Sequence, residues 1–137
     1  MRKDTITIFN LLNEDYTLPP ESNKKDFEGF ILGIEHNNEY KDLFDLDKGY
    51  ISEMSPQDYL DYVSQDIFKT SPILIDKYIS KDKETFERCH KIAEDMRNGN
   101  KYDIPFLDFK NRNQDGNHRA AAAYINGYKT IPVLILY

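Results

Sequence analysis

Asp115, Gly116, Asn117, His118 and Arg119 stand in a row, and four alanines follow them, Ala120 to Ala123. The guanidinium of Arg119 can hold a phosphate or carboxylate through two parallel N–H bonds. His118 can donate a hydrogen bond, carry charge below a pKa of about 6.5, or move a proton. Gly116 lets backbone come close to a ligand. Asn117 is a helix-capping type, and Asp115 suits a turn or cap better than a catalyst. The alanines favour helix, so one is expected from Asn117 or His118 to Asn126, ended by Gly127. The first N–H groups of a helix lack internal partners, and its dipole is positive there. Residues 115–119 therefore predict an anion site, and phosphate is the anion that suits it best.

The elements that must position this segment can be read around it. Ile104–Phe109 reads as a short strand before the motif and Ile131–Leu136 as the last strand, with a polar turn at 110–114. About a dozen residues of loop and helix between two strands suffice for a crossover, so the strands are expected to be parallel. That would place the helix start near the carboxyl end of the first strand.

Upstream, Tyr50–Met54 reads as a strand. Ser55-Pro56 opens a helix with the stripe Tyr59, Leu60, Val63 and Ile67, since proline at the first helical position loses nothing. Ser71-Pro72 repeats that signal before Leu74, Ile75, Tyr78 and Ile79. A third helix is expected over Lys83–Arg97, burying Phe86, Cys89 or His90, Ala93 and Met96, with Gly99 as its stop. Thr5–Phe9 alternates like a strand, and 24–35 reads as an amphipathic helix or, with Gly29 and Gly33, as a strand. The expected architecture is an α+β domain with a small mixed sheet flanked by helices, formed by 49–137. Residues 1–48 are expected to be an extension packed on it.

Composition narrows the partners. The chain has 137 residues and a formal net charge of −6, which argues against broad nucleic-acid or anionic-membrane binding. The single cysteine, Cys89, allows no internal disulfide. The first residues do not read as a signal peptide, and no apolar run approaches the ~20 residues needed to span a bilayer. A cytoplasmic location is expected. No metal-ligand spacing links the histidines with Cys89.

Residues 115–123, followed by Gly127 and by Thr130-Ile131-Pro132-Val133, resemble the signature of the ParB/sulfiredoxin superfamily. There a D-G-x-H-R or G-x-x-R segment opens a helix and a G-x-x-x-(I/V)-P-V strand follows. Met54–Leu60, Gly99 and Ile104–Leu107 fit the same layout, so the resemblance covers about 50–137. It implies nucleotide binding, of the ATP or CTP type and with or without Mg²⁺, with Asp115, Gly116, Asn117, His118 and Arg119 at the phosphates. Asn117 stands where sulfiredoxins carry their catalytic cysteine, which argues against sulfinic-acid reduction. The resemblance extends to no helix-turn-helix after Tyr137, so a chromosome-partition role is not expected. Members with D-G-H-H-R phosphorylate free serine, which keeps phosphoryl transfer open. Such members need a carboxylate base, and Glu53 and Asp108 are the candidates beside His118.

Three functions follow as expectations: a small nucleotide-dependent phosphotransferase or hydrolase, a nucleotide sensor without turnover, and a nuclease or DNA-binding accessory protein of a mobile element. The acidic balance counts against the last.

Overall fold

A computed structural model of the chain describes residues 18–34, 49–65, 68 and 70–137. The strand expected at Thr5–Phe9, the residue Ile67 and all of 36–48 lie outside them.

The fold is α+β, as expected. Four strands form the main sheet in the order β2 (Gly49–Met54), β6 (Ile131–Leu136), β4 (Phe106–Asp108), β5 (Asn113–Asp115). β4 and β6 are parallel, and the outer pairs β2–β6 and β4–β5 are antiparallel. Position in the sheet explains the sequence pattern. β2 lies at the edge and alternates half-buried with buried residues. β6 lies between two neighbours, and all six of its residues are buried, so it reads as a continuous apolar run. β1 (Phe30–Ile31) and β3 (Tyr102–Asp103) form a separate parallel pair.

The four helices of the described residues are α1 (Pro56–Val63), α2 (Ile75–Ile79), α3 (Lys83–Arg97) and α4 (Asn117–Ile125). α4 packs on α1, α2 and α3. Its alanines, Ala120 to Ala123, are all fully buried, so α4 can lie close to its neighbours on every side.

The starts of α1 and α3 follow local rules. Ser55 Oγ accepts the Asp58 N–H at 3.0 Å, with Pro56 at the first helical position. Asp82 Oδ1 accepts the Thr85 N–H at 2.7 Å. α2 differs from the expectation that Ser71-Pro72 would open it. The chain stays extended through Leu74, and the Ile75 N–H donates to Gln57 Oε1 at 2.8 Å, a cap supplied by α1. Gln57 Nε2 donates in turn to Asp61 Oδ1 and to the Ile73 carbonyl.

Other departures have equally local causes. Residues 24–34 hold no helix. Gly29 turns at φ +79, and Phe30–Ile31 is a strand, the alternative the glycines allowed. Phe27, Phe30 and Ile34 still enter the core. Leu74 and Phe86 face outward, and Thr85 takes the buried place on α3. Phe86 instead stacks on exposed His90, with ring centroids 4.2 Å apart. The expected polar turn contains a strand, Asn113–Asp115, which makes a hairpin with β4.

Candidate active site

That hairpin decides where the motif goes. Asp115 pairs with Phe106, the first residue of β4, so the chain has doubled back before α4 starts. The helix start therefore lies at the amino end of β4, not at the carboxyl end that a direct strand-to-helix connection would give. Gly116 forms the cap position at φ +142. A Cβ there would stand 2.3 Å from Pro105 Cβ and 2.9 Å from Pro105 Cα. The glycine is thus needed for contact with the protein's own backbone. Asn117 does not cap the helix as expected. It is already the first helical residue, its Oδ1 is buried without a hydrogen-bond partner, and no side chain caps α4.

Arg119 is held from three directions. Nη1 donates to the Asp103 carbonyl at 2.7 Å and reaches the Ile104 carbonyl at 3.3 Å. Nη2 lies 3.4 Å from Asp115 Oδ1, one helical turn back, and the side chain is only 15% exposed. Much of the expected phosphate fork is therefore spent on fastening α4 to the 103–104 segment.

His118 lies beside this anchor. Its ring meets Tyr78 of α2 edge-on, at 5.9 Å between centroids. Burial is the main cause holding its pKa below the usual 6.5, and the positive charges of Arg88 and Lys81 add to it. Asp115 pulls weakly the other way.

A cavity of about 600 Å³ opens at this point. The motif supplies Asp115, Gly116, His118 and Arg119 to its wall. Arg88 of α3, Lys101, Tyr102 and Asp103 contribute the other polar groups. Ile34, Ile92, Ile104 and Phe106 give it an apolar side. Formally, three cations face two carboxylates there, which leaves the cavity positive in a protein that is negative as a whole.

Neither expected base belongs to it. Asp108 sits at the far end of β4, where Oδ1 accepts the Asn111 N–H at 2.9 Å and Oδ2 accepts Asn111 Nδ2 at 2.8 Å. It holds the hairpin turn. Glu53 is on β2, beyond β6, where Oε2 accepts Thr130 Oγ1 at 2.7 Å and Lys24 Nζ at 3.3 Å. The Thr130 bond is the main reason its pKa falls below the ordinary value. Both carboxylates serve structure.

Arg88, Lys101 and Asp103 were missed by sequence reasoning. Arg88 and Ile92 are one turn apart on α3 and both face the cavity, but nothing in the sequence says which face of α3 meets α4. Among the described residues, no group of three or more His, Cys, Asp or Glu could hold a metal ion, and no helix is long and apolar enough to cross a membrane.

Cys89, next to Arg88, is not among the residues that line the cavity. It is fully buried, and burial pushes its thiol up to about 11, far from a reactive thiolate. Cys89→Ser should leave ligand binding unchanged and cost about 1–3 kcal/mol of stability for the buried hydroxyl. Calorimetric titration beside a melting curve checks both. Lost binding by a fully folded variant would contradict the assignment.

Comparison with protein families, characterised proteins and solved structures returned no match to the chain.

Proposed function

We propose that the chain binds a small phosphate-bearing ligand, of the ATP or CTP nucleotide type, in the cavity at the amino end of α4. One observation carries this reading. Arg88, Lys101, Arg119 and His118 converge with an uncapped helix start on a single opening. Its volume of about 600 Å³ suits a small organic molecule. The apolar side formed by Ile92, Ile104 and Phe106 suits a base or other flat apolar group. A Mg²⁺ ion would enter with the phosphates, because this ion is commonly held by one or two carboxylates together with substrate oxygens. Asp103 and Asp115 would be those carboxylates.

The test is titration calorimetry of the full chain with ATP, ADP, CTP, GTP and NAD, with and without Mg²⁺, beside a single-stranded oligonucleotide. Saturable binding of a nucleotide supports the reading. Binding of the oligonucleotide alone, or of nothing, overturns it.

A second reading, phosphotransferase or hydrolase, is favoured by His118. Its lowered pKa keeps the ring neutral at pH 7, where it can accept a proton. Asp115 and Asp103, not Glu53 or Asp108, are the carboxylates on the same wall. Phosphate release or transfer from the bound nucleotide separates the two readings.

The same pKa predicts a pH dependence. In the free protein His118 titrates below 6.5, facing Arg88, Lys81, Arg119 and Asp115 with Tyr78 and Asp82 nearby. A bound anion favours the imidazolium and raises the pKa in the complex, so binding takes up a proton. Affinity should rise as pH falls from about 7.5 toward the free-state pKa, by at most ~tenfold per unit, and level off below it. His118→Gln should leave only the dependence of the ligand's own phosphate. A wild-type profile identical to that of His118→Gln would rule out the coupling.

A further inference from the structure

Resting on that reading, we infer that Arg88, outside the D-G-N-H-R run, is the side chain that grips the ligand's anionic group, and that Arg119 is a positioning residue. The assignment follows from what each guanidinium already holds. Arg119 would have to leave the carbonyls of Asp103 and Ile104 to turn its fork on a ligand, and those carbonyls would lose their donor. Arg88 has no such commitment. It faces the cavity and is exposed, and among the described residues no hydrogen bond or ion pair engages it.

Position supports the same division. Arg88 lies mid-way along α3, a helix of 15 residues capped by Asp82 and packed on α4. A rigid helix thus presents a free, planar, five-donor group beside His118, whose ring feels its charge. Lys101, the other cation outside the motif, lies 3.9 Å from Asp26 and has a compact ammonium without fork geometry. The ligand's anionic group would then sit between α3 and the start of α4, with Arg119 fixing the distance between that start and the 103–104 wall.

The test compares Arg88→Ala, Arg88→Lys and Arg119→Lys in the full chain, with ATP and inorganic pyrophosphate as probes. Arg88→Ala should weaken both probes by roughly ten- to hundredfold, the usual loss of a charge-assisted bond, with Tm unchanged. Arg88→Lys should restore part of the loss. Arg119→Lys should lower Tm and weaken binding less than Arg88→Ala does. An independent readout is the His118 titration followed by NMR in the ligand-free protein. Removing the Arg88 charge should raise that pKa, which a merely structural role would not do. Wild-type affinity in Arg88→Ala, or an unmoved His118 titration, overturns this inference and leaves the proposed function standing. A wild-type protein that binds neither these probes nor ADP, CTP, GTP or NAD defeats both.

Discussion

Gly116→Ala should be among the most damaging single substitutions in the chain, lowering the unfolding free energy by roughly 2–6 kcal/mol. Two independent costs add. The backbone at φ +142 is one that side chains with a Cβ rarely adopt, and such strain typically costs ~1–3 kcal/mol. The new methyl would also overlap Pro105, at 2.3 Å from its Cβ and 2.9 Å from its Cα. Neither atom ends a flexible side chain, so the backbone itself must give, and overpacking of this kind typically costs a further ~1–3 kcal/mol. Pro105 cannot retreat freely, because its carbonyl accepts the Leu134 N–H of β6 at 2.9 Å. The start of α4 must move instead, and His118 and Arg119 move with it. Chemical denaturation should show the loss, and any protein that remains folded should bind nucleotide more weakly. A Gly116→Ala variant with wild-type stability would mean that the start of α4 is not held against Pro105.

Arg119→Ala should cost roughly 2–7 kcal/mol of stability as well as ligand affinity. The carbonyls of Asp103 and Ile104, both buried residues, lose their guanidinium donor, and each unsatisfied buried acceptor typically costs ~1–3 kcal/mol. Asp115 loses its partner too, but its side chain is 64% exposed and the pair lies on the surface side, so this adds at most ~1 kcal/mol. A residue that only gripped the ligand would leave stability untouched when removed. Melting curves with and without ATP separate these outcomes. A variant with wild-type Tm that still lost binding would return Arg119 to the role of phosphate fork.

Periodicity and caps made much of the fold legible. α3 runs over the expected Lys83–Arg97, and β6 over Ile131–Leu136, because long helical spacing and a continuous apolar run are strong signals. Ser55-Pro56 marked the start of α1 for the reason expected. Ser71-Pro72 did not mark that of α2, because the cap comes from Gln57, 18 residues earlier, and only the folded chain brings the two together. The hairpin strand Asn113–Asp115 carries no apolar signal, since its residues are exposed or half-buried. Missing it reversed the end of β4 at which the helix starts. The hairpin also puts Asp108 at the opposite end of β4 from the motif, although both lie close in sequence.

The motif residues Asp115, Gly116, His118 and Arg119 do gather at one cavity, as their types and order suggested. What each holds there was not legible. The acceptors of Arg119 are backbone carbonyls, which every residue has and no sequence marks. Arg88 carries no mark in the sequence, because a charged residue on a helix is most often solvated, and only the packing of α3 on α4 brings it to the cavity.

The cap on α2 has a consequence for how the molecule breathes. Five residues are too few for a helix to persist alone in water, so α2 keeps its shape only while neighbours hold it. Gln57 ties its first N–H to α1, and Tyr78 ties its middle to the ring of His118. Opening of α1 would remove that cap and loosen the start of α2, while the packing of α2 on α3 and α4 still holds Tyr78 near His118. His118 already meets solvent at the cavity, so the motion of this helix pair, which does not line the cavity, would reach the imidazole only through the ring of Tyr78.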